Sequence, residues 1–175
     1  RSLVGSRPPP PITRPPRVLP DRGLVYFQII STNDLFSRFQ GATVDADGDI
    51  LVTNRRSPAD NGSGSPPAVL VYRKDAGGRY ILEQVLDPPS GDTSEWWGRP
   101  VAVQGDVIAV GDYNGAVYGN WGRVDIFRRS GETWSHNQTL YGDADSLWFG
   151  DNLAFRNGLL LISDEGWQGE LGEVQ

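Results

Sequence analysis

An all-β fold of short strands and tight turns is what this sequence predicts, on three observations. Glycine (22) and proline (13) together fill a fifth of the 175 residues. No apolar stripe of 3.6-residue period runs long enough for a sizeable helix. Apolar stretches of four to eight residues recur instead, bounded by clusters of turn formers. A chain of this length can bury one ordinary core without staples, and with no cysteine neither disulfides nor thiolate metal sites are available.

The first element is not a strand. Residues 1–22 hold five arginines against Asp21, a balance of +4, which leaves −10 for the remainder of a chain whose net charge is −6. Within them "RPPPPITRPPRVLP" (Arg7–Pro20) is too proline-rich for a helix or a central strand and reads as an extended polyproline II arm. It is a linker, or a docking arm whose arginines seek an acidic surface on a neighbour. The acidic body from residue 23 onward argues against nucleic acid as a partner. No apolar run reaches the length of a membrane span and no signal peptide is visible. The chain opens on Arg1, as a processed protein or a piece of a longer one would.

Candidate strands follow in order: Leu24–Ile30, Ala42–Val44, Asp49–Thr53, Ala68–Arg73, Tyr80–Leu86, Val101–Gln104, Val107–Val110, Arg123–Arg128, Thr133–Leu140, Leu153–Phe155 and Leu159–Ser163. They repeat. Fifteen residues after Phe39, Trp97 and Phe149 come Asn54, Asp112 and Asp164, in the windows "FQGATVDADGDILVTN", "WGRPVAVQGDVIAVGD" and "FGDNLAFRNGLLLISD". Each window carries a turn pair at one place (Asp47-Gly48, Gly105-Asp106, Asn157-Gly158) and then an apolar strand. Downstream, "VYRKDAGGRY" parallels "IFRRSGETW", and Gln84 and Gln138 each stand four residues past the closing aromatic, with an earlier "QII" at Gln28. Units near 39–96, 97–148 and 149–175 result, the last stopping where its third strand should begin. Four strands per unit leave sheet faces that only similar sheets can cover, and radial stacking of such sheets is a β-propeller. The expected architecture is a partial propeller of four-stranded antiparallel blades behind the proline-rich arm.

Phe149-Gly150, Trp97-Gly98, "GDVIAVGD", "GRVDIF" and "GETW" make residues 24–175 resemble FG-GAP repeats, the blades of the α-integrin head and of many secreted proteins. The family's Gly-Ala-Pro triplet is replaced here by Val52-Thr53-Asn54, Val110-Gly111-Asp112 and Ile162-Ser163-Asp164. The resemblance implies a secreted or cell-surface location, and calcium in the loop after a unit's second strand.

The acidic stretch Asp45, Asp47, Asp49 invites a calcium loop, but the repeat places a hairpin turn there, and a hairpin sends alternate side chains to opposite faces. Asp112 and Asn114 in "DYNG" are the better calcium candidates, ahead of Asp60 with Asn61 and of Asp164; none completes D-x-[DN]-x-[DN]-G. Calcium is therefore a candidate and no cofactor is required. His136, the one histidine, aligns with Leu82 and reads as a strand position, with no nucleophile or acid motif converging on it. The long loops 55–67 and 113–121 form one rim, with Asp60, Asn61, Tyr113, Tyr118 and Trp121 as recognition residues. Trp96 and Trp121 are candidates for stacking on a glycan. Asn61 heads a sequon in a loop and is a candidate glycosylation site; Asn137 heads another in a strand. These features support a non-enzymatic extracellular scaffold for adhesion or assembly, its partners being other subunits or further blades. The alternative is a glycan-binding or accessory module of a secreted enzyme.

Overall fold

The computed structural model describes residues 40–55, 67–89, 96–114, 122–143, 146–166 and 173–174. All belong to one unit of the chain, Phe36–Gln175. The arm and the expected strand Leu24–Ile30 lie outside the described residues. Among those described the protein is all-β, with no helix.

Three antiparallel sheets carry the fold. The first runs β1 (Gln40–Asp47), β2 (Ile50–Arg55), β3 (Ala68–Lys74), β4 (Tyr80–Leu86) in sequence order. The second repeats that meander with β5 (Val101–Gln104), β6 (Val107–Asp112), β7 (Arg123–Ser130) and β8 (Thr133–Tyr141). The third orders β10 (Leu153–Arg156), β11 (Leu159–Gly166) and β12 (Glu173–Val174), with β9 (Ser146–Leu147) also pairing β11. In the first two sheets the four-strand unit read from the repeat is thus the unit of the sheet, while the third sheet also takes β9 from the preceding unit. The third unit's third strand begins just past Gly172, as Arg123 follows Gly122.

Alternation decides which face each strand covers. Ile50, Val52, Val69 and Val71 of the first sheet meet Val101, Val103, Ile108 and Val110 of the second in one core, closed by Trp97 and Trp134. Ala109, Val124 and Ile126 point the other way, into a second core with Phe149 and Ile162. The middle sheet is therefore apolar on both faces, which is why β7 buries five consecutive residues. At the end of that second core Gly122 bridges Phe149; a Cβ on Gly122 would lie 2.1 Å from the Phe149 carbonyl oxygen, so no other residue fits.

The first hairpin departs from the expected turn. Asp47 pairs with Ile50, so Gly48-Asp49 and not Asp47-Gly48 forms the loop. Gly48 and Gly105 take φ of +56° and +55° while the aspartates after them stay out of the left-handed region, the pattern of a type II′ turn. Asn157 and Gly158 both have positive φ, the type I′ pattern. The first unit has one more residue than the second between its register aromatic and its turn, while β2 and β6 are both six residues long, so the surplus lies wholly before the hairpin and Arg55, not Asn54, stands where the second sheet has Asp112. The surplus is absorbed in a bulge: between the pairs Gln40–Arg55 and Val44–Thr53, three residues of β1 face one of β2. Asn54 Oδ1 accepts from the Thr43 amide, and Thr53 Oγ1 donates to the Thr43 carbonyl, which fixes the bulge.

A second bulge recurs in both complete sheets. Val71 pairs with Gln84 and Tyr72 with Leu82, leaving Glu83 as the extra residue; Ile126 pairs with Gln138 and Phe127 with His136, leaving Asn137. His136 stands opposite Phe127 as Leu82 stands opposite Tyr72, the equivalence expected from the sequence.

Candidate functional site

The loop end of the middle sheet gathers the described members of the expected rim. Trp96 precedes the buried Trp97, and Tyr113 and Asn114 form the turn that follows β6. The Trp96 and Tyr113 rings lie 5.2 Å apart at 49°, and the Arg99 guanidinium sits over the Trp96 ring, 5.3 Å from its centroid. Trp96, Tyr113, Asn114 and Arg99 are all half-buried. Trp96 and Trp97 are consecutive in the turn before β5, and there one ring enters the core while the other stays at the rim. Asp60, Asn61, Tyr118 and Trp121 lie outside the described residues.

Asp112 does not project into the rim. Its side chain is fully buried, and Arg123 Nη2, also buried, lies 3.1 Å from Asp112 Oδ2. Two buried charges are tolerated only when they face each other. The Arg123 Nε also lies 3.8 Å from Asp125 Oδ2, so the guanidinium serves both carboxylates. Asp164, at the equivalent position of the third sheet, accepts from Ser146 Oγ at 2.6 Å, and the same hydroxyl lies 3.1 Å from Asp143 Oδ1. Among the described residues no three acidic or histidine side chains converge as a metal site would need.

Asp125, not singled out by any motif, is the centre of the polar chemistry. It is buried in mid-strand, where its Oδ2 accepts from Trp97 Nε1 at 2.8 Å and its Oδ1 from Thr139 Oγ1 at 2.6 Å. Thr139 Oγ1 in turn lies 3.0 Å from His136 Nε2, which is 3.5 Å from Asp125 Oδ1. The same ring nitrogen thus meets hydroxyl and carboxylate. In a nucleophile–base–acid relay the acid would hold the opposite nitrogen, so this arrangement ties strands together and does not activate Thr139. The His136 ring packs edge-on against Phe127 with centroids 5.6 Å apart. A signal was present in the repeat: the register aromatic is tryptophan only where strand three carries an aspartate to receive its N–H.

Trp148 was also missed. It aligns with Trp96, one residue before the register aromatic, yet is half exposed with φ of +63°. A bulky side chain in the left-handed region is held there by its surroundings, here by a turn in which Asp151 N donates to the Trp148 carbonyl. Asn137 is exposed on β8.

Three further carboxylates, Asp45, Asp47 and Glu83, join the first sheet to the second. Asp45 Oδ2 accepts from Val103 N at 2.8 Å and Asp47 Oδ2 from Gly105 N at 2.7 Å. Glu83, on the bulge of β4, receives Arg73 Nε (2.7 Å), Arg129 Nη2 (2.9 Å) and Trp134 Nε1 (3.3 Å). Burial pushes the Glu83 carboxyl up, but the hydrogen bonds from Arg73 and Trp134 and the charges of Arg129 and Arg73 outweigh it and hold it below the ordinary value of 4.5. Beside it Gln84 donates from Nε2 to the Trp134 carbonyl at 2.8 Å and accepts from the Trp134 amide at 2.9 Å. No protein-family model and no curated protein matches the chain.

Proposed function

We propose that the chain is a non-enzymatic scaffold built of propeller blades, of the FG-GAP kind its sequence resembles, that acts in adhesion or assembly outside the cell through protein–protein contacts. One observation carries this reading. Structurally equivalent residues on successive sheets reach the hairpin turn of the next: Asp47 and Gln104, each just before its own turn, accept from backbone amides at Gly105, the first residue of the following turn, and Gly158, the second. Stacking that repeats itself from sheet to sheet is what a blade array requires, and an array needs similar faces to cover its ends. Those faces come from further blades of the polypeptide or from other subunits. Asp45, Asp47, Glu83, Gln84 and Gln104 are engaged in the joins between sheets. The extracellular location rests on the resemblance.

Light scattering on the folded chain, beside its denatured mass, tests the proposal. A defined oligomer is the expected result. A stable monomer of 19.2 kDa would replace the propeller with a closed sandwich. The second reading, a glycan-binding module, draws on the Trp96–Tyr113 pair. Arg99 over the Trp96 ring competes for the face a sugar would take, which favours the first reading. Protection of tryptophan fluorescence from a quencher by added oligosaccharides would reverse that order.

A further inference from the structure

Two junctions join the three sheets, and they are made of different chemistry. At the inner end, the position before the hairpin turn is Asp47 in the first sheet and Gln104 in the second; both accept a backbone N–H from the sheet that follows. Asp45 adds another carboxylate to the first junction, accepting from Val103 N. At the outer end the bulge residue is Glu83 in the first sheet and Asn137 in the second. The Glu83 carboxylate draws together β3 through Arg73, β7 through Arg129 and β8 through Trp134. The first junction thus has a carboxylate at both ends, beside the neutral clasp of Gln84 on the Trp134 backbone, where the second carries amides at the same two positions.

We infer that the junction between the first and second sheets is an acid-released joint, while the junction between the second and third holds. A carboxylate accepting N–H donors is a strong, charge-assisted acceptor, and protonation removes the charge and converts one oxygen into a donor. At Glu83 protonation also takes the shared anion away from two half-buried guanidinium groups. The charged groups around it are Arg73 and Arg129; around the inner latch they are Asp49, Lys74 and Asp106, with Lys74 Nζ 3.9 Å from Asp49 Oδ1. An amide does not titrate, so Gln104 keeps its bond to Gly158 in acid. Release would bare the apolar faces that meet there, with Val52, Val71, Val103 and Trp134 among them. The inference stands whether or not the sheets belong to a propeller.

Amide and indole proton resonances of the full chain, followed from pH 7 to pH 3 together with hydrogen exchange, test it. The expected result is that the Val103 and Gly105 amides and the Trp134 indole shift with acid and lose protection by about tenfold or more relative to the Gly158 amide. Exchange that rises together at all four groups, or at none, would overturn the inference. Asp47→Gln copies the residue of the second junction, while Asp45→Asn and Glu83→Gln remove the other two charges; the triple variant should keep the Val103 and Gly105 amides protected in acid. If it exchanges like the wild type, carboxylates are not the latch. Should the variant fail to fold, the wild-type comparison between the two junctions decides alone.

Discussion

Asp125 sits where the first sheet has Leu70, and Trp97 where the first unit has phenylalanine. The two differences belong together, because a buried indole N–H needs an acceptor and a phenyl ring does not. Asp125→Ala leaves Trp97 and Thr139 without their acceptor and should destabilise the protein by about 3–5 kcal/mol. Trp97→Phe with Asp125→Leu should cost less than the sum of the two single changes, with a coupling of about 1–3 kcal/mol in chemical denaturation. Additive effects would mean that the hydrogen bond does not govern this site. Asp112 carries a related prediction. Its partner Arg123 is 5 % exposed, so Asp112→Ala takes the nearer of two carboxylates from a buried cation and should lower stability by about 3 kcal/mol whether or not a chelator is present. Loss seen only in the absence of chelator would restore Asp112 as a calcium ligand. None of this pairing was legible from spacing, because Asp112 was judged by the loop beside it and not by the strand opposite.

At the scale of elements, the strands were legible and their offsets were not. Tyr80–Leu86 and Val101–Gln104 were read to the residue, because each is rich in strand-forming side chains and bounded by turn formers. The two-residue strands β9 and β12 carry too few side chains for any periodicity, though the repeat announced where β12 begins. The first turn was placed one residue early because Asp-Gly is itself a favoured hairpin centre, and only pairing across the strand revealed that Gly-Asp had been chosen. Two glycines of positive φ give contrasting tests. A Cβ on Gly105 meets nothing within 4 Å, so Gly105→Ala should cost about 1–2 kcal/mol for its backbone conformation alone. Gly122→Ala drives a methyl group into the Phe149 backbone and should cost more than about 4 kcal/mol. Thermal unfolding of the pair measures the difference.

For the whole molecule, acid stability is set by the joins between sheets. Glu83 has its folded-state value depressed below 4.5, so it contributes stability at pH values above the ordinary carboxylate range, and that contribution is lost as pH falls through the folded value. The stability gap between wild type and Glu83→Gln should therefore be widest near neutral pH and close below about pH 4.5; a gap that persists unchanged at pH 3 would place the acid sensitivity elsewhere. The repeat made the sheet order readable at this scale, while the chemistry of the joins stayed hidden, since it lies in residues that look like surface charge until a second sheet is set against them. The bulge in β1 has a consequence for how the protein can be altered. By taking up the surplus residue outside the hairpin, it leaves segments 44–53 and 101–110 equal in length, each with a two-residue Gly-Asp loop at the same distance from its ends. The hairpin tip is in effect a cassette. Transplanting 101–110 into the place of 44–53 would exchange an acidic clasp for a neutral one in a single graft, with the graft ends already in register.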